Sequence, residues 1–343
     1  MALPVAVIGG GSFGTCLAML CAREIDPREG DVTIWARDRD VVDALNRDRR
    51  NPKYLKDVVL PAGVRATTDL ADALRDRELV ICAVPSQALR SVMREANAAM
   101  MPEAVIVSTV KGIEFETGLT MHGVLEEVLD AVHHPRVVSL SGPSFASEIA
   151  RRKPTVVTLA CREETFAISV QATLSCPWFR CYTNTDVVGV ELGGALKNVI
   201  AIATGIADGM EGGDNARAAL MTRGLAEITK LGIHMGAEPT TFLGLSGMGD
   251  MILTCTGDLS RNRRVGLELG RGRRLPDILE GMGEVAEGVQ TTRAACRLAA
   301  QAGIEMPICE TVRAVLDGEM TPADAGHRLM TRQLRSERDD FAR

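Results

Sequence analysis

"VAVIGGGSFGTCLAMLC", residues 5–21, is the stretch that decides the fold. An apolar run, a glycine-rich turn and an apolar helical pattern follow one another without a break. Gly9, Gly11 and Gly14 stand in G-x-G-x-x-G register, directly after the strand-like run and directly before the helical one. In that register the first glycine permits a tight turn, the second lets backbone approach a diphosphate, and the third lets helix pack on strand. The helix start adds N–H groups and a positive dipole end. Taken alone the turn is weak evidence, because a glycine-rich turn can be only a turn. At the first strand of a βαβ array it points to a dinucleotide.

The array continues outward from that turn. "PVAVIG" (4–9), "DVTIW" (31–35), "ELVICAV" (78–84), "EAVIVST" (103–109) and "RVVSL" (136–140) are apolar on both faces, as strands covered on both sides by helices are. Helical patterns fall between them at Ser12–Arg23, Asp40–Arg47, Ser86–Met100 and Thr117–Ala131. Strand, helix, strand in repetition predicts a doubly wound, mostly parallel α/β sheet of Rossmann type. "TVVTLA" (155–160) and "WFRCYT" (178–183) extend it. Beyond Asp186 strand-like runs stop. Ala-, Leu-, Met- and Gly-rich helical stretches take over at 187–209, 215–231, 240–253, 261–270, 275–280, 289–302 and 307–317. Asn215 reads as an N-cap and Gly232 as the end of its helix. The expected organisation is a nucleotide-binding domain over 1–186 and an all-helical substrate domain over 187–343, ending in a solvated tail, "RSERDDFAR".

Composition narrows the function classes. The 343 residues carry a formal net charge of −6 with 24% charged and 46% apolar residues, an ordinary globular balance. No global field favours nucleic acid or an anionic membrane, and 3% aromatics leave little for base stacking. No uninterrupted apolar run reaches the ~18 residues of a membrane span. The N-terminus has no basic leader, so a cytoplasmic location is expected. The nine cysteines show no C-x-x-C pair and read as reduced core residues. The five histidines lack metal-ligand spacing, and no metal is expected. A homodimer stays open, since Ala- and Met-rich helical faces serve equally as core or interface.

Three further stretches carry candidate chemistry. In "ELGGALKNVIAIATG" (191–205) Lys197 stands at the centre of an otherwise apolar helix, with Gly193 and Gly194 one turn before it. The reading is a catalytic lysine with room beside it for a ligand; a snorkelling lysine with a packed stem is the alternative. Lys111 lies just beyond a strand end, where open α/β sheets bind ligands. In "LSGMGDMILTCTGDLSRNRRVG" (245–266) Asp250 precedes Ser260, an expected N-cap. A phosphate at that helix start would take N–H bonds, the Arg261 fork and the Asn262 amide. "SGPSFASEI" (141–149) places Gly142 in a turn and Ser144 at a helix start, as a cap or an anchor for ligand oxygens. At the end of the second strand stand Trp35, Ala36 and Arg37, where a site selective for NADH usually has an acid. A guanidinium suits a 2′-phosphate, so NADPH is favoured over NADH, with Asp38 in reserve as the acid.

Together these segments resemble the soluble, bacterial-type NAD(P)-dependent glycerol-3-phosphate dehydrogenases. The resemblance runs through "GGGSFGT", "NPKYL", "AVPSQALR", "STVKGIE", "SGPSFASEI", "LGGALKNVIAIATG", "GDNARAALMTRGLAEI", "GLSGMGD", "SRNRRVG" and "VAEGVQTT", in order and over nearly the whole chain. It implies a Rossmann domain followed by a helical domain like that of 6-phosphogluconate dehydrogenase. It implies reduction of dihydroxyacetone phosphate to sn-glycerol 3-phosphate for phospholipid synthesis. By matching motifs, Lys197 is the proton donor and acceptor, with Lys111 and Asp250 beside it. Lys111, Gly142, Ser144, Lys197, Asp250, Ser260, Arg261 and Asn262 are the implied substrate contacts. Ser12, Phe13, Arg37, Lys111, Ala146, Arg261, Val285 and Glu287 join the glycines Gly9, Gly11 and Gly14 as implied cofactor contacts. A second cation and burial would lower the Lys197 pKa while Asp250 would raise it, so the net sign stays open at this point.

Overall fold

The structure, a computed structural model, describes residues 3–22, 32–282, 286–334 and 336–337. The solvated tail expected at the C-terminus lies almost wholly outside the described residues. The chain forms two compact units, residues 1–110 with 121–187, and residues 111–120 with 188–343. The second unit therefore takes an excursion, 111–120, out of the first half of the chain. A single cut near 187 does not anticipate that excursion.

The first unit is built on eight strands: β1 (Val5–Ile8), β2 (Val32–Trp35), β3 (Val64–Thr67), β4 (Leu79–Cys82), β5 (Val105–Ser108), β6 (Val137–Ser141), β7 (Thr155–Ala160) and β8 (Phe179–Asn184). Their order across the sheet is β3-β2-β1-β4-β5-β6-β7-β8. Pairing is parallel throughout except between β6 and β7. The strands β1, β2 and β4 are buried on both faces. That is why their sequences are continuous apolar runs. The strand missed in sequence is β3, "VRAT", whose Arg65 faces outward on the sheet edge. Four residues of mixed polarity carry no periodic signal there.

Helices α1 (Ser12–Ala22), α2 (Arg39–Arg47), α3 (Leu70–Leu74), α4 (Leu89–Asn97), α5 (Met121–Val128), α6 (Ala146–Ala150) and α7 (Glu164–Leu174) alternate with these strands. The apolar residues of α1, α2, α6 and α7 close one core with the sheet, which includes Leu17, Ile34, Ile81 and Val107. Ser144 is not at a helix start: α6 begins two residues later, and the Ser144 hydroxyl instead donates to the Gly142 carbonyl at 2.9 Å.

The second unit is helical. It comprises α8 (Val187–Gly209), α9 (Gly213–His234), α10 (Asp250–Thr256), α11 (Arg261–Gly270), α12 (Leu275–Glu280), α13 (Glu287–Ala302), α14 (Pro307–Leu316) and α15 (Pro322–Met330). Asn215 is not the N-cap of α9, which begins at Gly213, and Gly232 does not end it. A Cβ on Gly232 would lie 2.2 Å from the Phe242 ring, so this glycine answers to packing. The expected continuous helix over 240–253 is broken instead. Pro239–Leu243 is a 3₁₀ turn, Leu245–Gly249 a π turn, and α10 starts at Asp250. A side chain on Gly247 would strike the Phe242 carbonyl at 2.2 Å, which ties the two turns together.

The central element is α8, 23 residues long and buried along most of its length. Among the described residues it is the one helix long and apolar enough to cross a membrane, and 89% of its most apolar window is buried within the protein. Burial of that kind belongs to a core helix. It packs on α11 through reciprocal glycines. Cβ atoms on Gly205 and Gly209 would meet the Arg263 and Leu267 carbonyls at 2.1 and 2.3 Å. Those on Gly266 and Gly270 would meet the Ile202 and Ile206 carbonyls at 2.1 and 2.3 Å. Backbone touches backbone, which only glycine permits, and the start of α11 is thereby held in register with the middle of α8.

Candidate active site

The glycine turn has the geometry its spacing implies. Gly9 adopts φ of +128°, and a Cβ there would lie 2.5 Å from the Ala83 carbonyl oxygen. One on Gly14 would lie 1.9 Å from the Gly9 carbonyl, so helix and strand meet as closely as the third glycine allows. Gly11 differs: a Cβ there would meet nothing within 4 Å. The open space beside Gly11 and the first turn of α1, with Ser12 and Phe13, fit a diphosphate held by backbone N–H groups. The Ser12 hydroxyl itself donates to the Tyr54 carbonyl at 2.9 Å.

Past β2, Arg37 is exposed. Asp38 is the N-cap of α2, accepting from the N–H groups of Asp40 and Val41 at 3.0 and 3.4 Å. Its second oxygen pairs with Lys53. The reserve acid is thus already committed. On the far side of the sheet Gly142, at φ of +134°, follows β6, and Ala146 is the first residue of α6.

In the second unit three segments far apart in sequence converge. Lys197, 6% exposed, comes from α8; Asp250, 1% exposed, is the first residue of α10; Lys111 opens the 111–120 excursion. The Lys197 ammonium donates to Asp250 Oδ1 at 2.5 Å, and the Lys111 ammonium donates to Oδ2 at 2.5 Å. Lys197 also donates to the Thr254 hydroxyl at 2.7 Å, while that hydroxyl donates to the Asp250 carbonyl at 2.6 Å. The excursion is anchored by Ile113, wholly buried in the helical core, and by Gly118, where a Cβ would press on Leu298 at 3.1 Å.

One carboxylate serves two ammonium groups, so these three groups carry a formal net charge of plus one, with Lys197 and Asp250 buried and Lys111 partly so. Burial is the main force on Lys197, and it pushes the ammonium down to about 8; Asp250 opposes this and Lys111 adds to it. For Asp250 burial acts upward, but the two ammonium groups outweigh it and hold the carboxyl below its usual range. The sign left open by the sequence is therefore downward for the lysine. Lys197 remains largely charged near neutrality and can release a proton just above it.

Gly193, one turn before Lys197, does not clear room beside the lysine. A Cβ on Gly193 would lie 2.9 Å from the Ser246 carbonyl, so its space is filled by the π turn leading to Asp250. It brings the carboxylate's backbone close to α8 rather than clearing room for a ligand.

Ser260 caps α11 as expected, its hydroxyl accepting from the Arg263 N–H at 3.2 Å. Arg263 is spoken for, gripping Asp208 and Asp258 at 2.9 and 3.0 Å. Arg261 is exposed at the helix start. Asn262 is buried and two of its bonding sites are occupied. Its Oδ1 accepts from the Gly288 N–H at 3.0 Å, and its Nδ2 donates to Asn198 Oδ1 at 2.9 Å. One amide hydrogen remains for an anion. Glu287 is the first residue of α13, next to Gly288. Val285 lies outside the described residues.

Sequence reasoning missed Thr254 and Asn198. Thr254 sits four residues after Asp250 on α10, a spacing that puts both on one face. Asn198 follows Lys197 directly, and successive helix residues point about 100° apart. The lysine thus faces Asp250 while its neighbour reaches Asn262.

A doubly wound sheet with an open glycine turn, and a helical unit holding a buried lysine with a depressed pKa, define a dehydrogenase of the nicotinamide class. Comparison with known proteins narrows this. The N-terminal and C-terminal models of NAD-dependent glycerol-3-phosphate dehydrogenase match residues 4–167 and 186–327. Glycerol-3-phosphate dehydrogenase [NAD(P)+] of Myxococcus xanthus is 53% identical over 97% of this chain and 98% of its own. That of Syntrophotalea carbinolica is 49% identical over 98% and 99%. The crystal structure of glycerol-3-phosphate dehydrogenase from Coxiella burnetii superposes with a TM-score of 0.90 at 36% identity, covering 96% of this chain and 99% of that one. The chain belongs to the NAD-dependent glycerol-3-phosphate dehydrogenase family.

Proposed function

We propose that the chain catalyses the reversible reduction of dihydroxyacetone phosphate to sn-glycerol 3-phosphate, using NADPH in preference to NADH, and so supplies the glycerophospholipid backbone. When bound, the nicotinamide supplies or takes the hydride. The observation that carries the reading is the Lys111–Asp250–Lys197 cluster, whose excess positive charge awaits an oxygen that becomes negative.

As hydride reaches the ketone carbon, charge grows on its oxygen. A buried ammonium aimed at that oxygen is worth more than one in water, because little solvent screens it. Lys197 donates two of its protons to Asp250 and Thr254, and a third is left for the substrate oxygen. It delivers that proton in reduction and recovers it in oxidation. Asp250 and Thr254 hold the ammonium in place, and Lys111 keeps the local field positive. Arg261 and the spare Asn262 hydrogen grip the phosphate at the α11 start, with Ser260 capping the turn; Gly142 and Ser144 complete the substrate contacts. Holding a remote phosphate aligns the reacting carbon, which lowers the barrier through orientation.

On the cofactor side Gly9, Gly11 and Gly14 with Ser12 and Phe13 receive the diphosphate. Lys111, Ala146, Arg261, Val285 and Glu287 complete the contacts. Arg37 meets the 2′-phosphate. Commitment of Asp38 to the α2 cap and to Lys53 supports NADPH, since that acid is not at liberty to hold a ribose hydroxyl. A cytoplasmic location completes the proposal.

The test is an initial-rate assay with dihydroxyacetone phosphate, and with hydroxy acids as controls, against each reduced cofactor. Turnover with the phosphorylated ketone and none with hydroxy acids is expected; the reverse pattern overturns the proposal. Lys197→Met should lower turnover about 10²- to 10⁴-fold with NADPH binding retained.

A further inference from the structure

Residues 51–55, "NPKYL", hold a side chain that the proposed mechanism does not use. Asn51 is 0% exposed, and its carboxamide is satisfied on every side. Its Nδ2 donates to the Gly10 carbonyl and to the Thr15 hydroxyl, both at 2.8 Å. Its Oδ1 accepts from the N–H groups of Lys53 and Tyr54 at 3.3 and 3.2 Å. Because backbone N–H groups can only donate, the oxygen end of the amide is unambiguous. The stitch is doubled when the Ser12 hydroxyl donates to the Tyr54 carbonyl at 2.9 Å.

The carbonyl that Asn51 holds lies inside Gly9–Gly10–Gly11. Three consecutive glycines place almost no steric limit on how the peptide planes between them turn. The plane joining Gly10 and Gly11 is rigid, with its C=O and N–H on opposite edges. Drawing the Gly10 oxygen inward to Asn51 therefore turns the Gly11 N–H the other way, off the interior, at the residue where a Cβ would meet nothing within 4 Å. The Gly11 carbonyl is already engaged, accepting from the Thr15 N–H at 2.9 Å. Asn51 thus holds one plane of the turn while the helix start holds the next.

We infer that Asn51 is a positioning residue for cofactor binding: by fixing the Gly10–Gly11 peptide it aims the Gly11 N–H at the dinucleotide diphosphate. The inference rests on the proposal that the glycine turn receives a dinucleotide. Without the amide the Gly10 carbonyl loses its buried donor, and an unlocked triple-glycine turn must order itself each time a ligand binds.

The test uses the full-length protein and three probes: NADPH, ADP-ribose and adenosine 2′-phosphate, the last without a diphosphate. Asn51→Asp keeps the shape but replaces the donating NH2 with one acceptor oxygen that repels the Gly10 carbonyl; Asn51→Ser keeps one hydroxyl donor. Calorimetry, with chemical-shift titration for the smallest probe, should show NADPH and ADP-ribose about 10- to 100-fold weaker in Asn51→Asp. Adenosine 2′-phosphate should bind that variant as it binds the wild type. Asn51→Ser should recover part of the loss, and if Asn51→Asp does not fold, Asn51→Ser against wild type carries the same contrast between probes. Equal weakening of all three probes, or no weakening, overturns the inference. A wild-type protein that binds none of them defeats the dinucleotide reading and this inference with it, and is told apart because no variant is needed to see it.

Discussion

In the proposed mechanism the glycine turn of the first unit and the lysine cluster of the second solve one problem, holding negative charge, by opposite means. The turn uses backbone. Its glycines remove side chains so that neutral N–H groups and a helix dipole face the ligand, and no ionisable group lies in the turn itself. The cluster uses side chains. Two ammonium groups share one buried carboxylate, and the imbalance of charge is what the proposed mechanism uses. A neutral cradle suits a diphosphate whose charge never changes. A titratable cluster suits an oxygen whose charge appears and disappears during the reaction. The two regions should accordingly fail in different ways when perturbed.

The largest effect is expected from the packing that aligns the cluster with the start of α11. Gly266→Leu drives a side chain into the Ile202 carbonyl and should cost about 3 kcal/mol or more, read as a fall in denaturation midpoint with activity lost alongside. A variant of wild-type stability would mean that α8 and α11 do not pack through these glycines. Next comes the phosphate grip. Arg261→Ala should raise the KM for dihydroxyacetone phosphate about 10- to 100-fold, with a much smaller change in the rate at saturation. A change confined to the cofactor KM would move Arg261 to the other region. The smallest effect is at the rim of the backbone site. Arg37→Glu should shift preference from NADPH toward NADH by roughly tenfold, seen as a ratio of kcat/KM values, and an unchanged ratio would leave the 2′-phosphate to another group.

The same contrast explains how much of the molecule is legible in its sequence. The glycine turn is local: a strand, three spaced glycines and a helix within 17 residues carry their own geometry, so fold and cofactor class follow from pattern. The sheet is legible wherever strands are buried on both faces, and fails at β3, an edge strand with Arg65 facing outward. The cluster is not local. Lys111 and Asp250 are 139 residues apart, and no spacing rule joins them; resemblance to a known family pointed to them together. Even near Lys197 the pattern misled, since Gly193 answers to the Ser246 carbonyl, a contact across the fold. Paired glycines four residues apart on α8 and α11 were visible as letters. Their meaning needed the facing helix.

The direct test of the central claim, that a buried lysine with a depressed pKa moves the proton, is the pH dependence of kcat/KM in both directions. Ketone reduction needs the charged ammonium, so it should hold below and fall as pH rises through about 8; alcohol oxidation needs the neutral amine and should rise through the same value. Mirrored profiles crossing there, and absent from the residual activity of Lys197→Met, are the predicted result. Profiles that stay flat across that range, or survive unchanged in the Met variant, would contradict it.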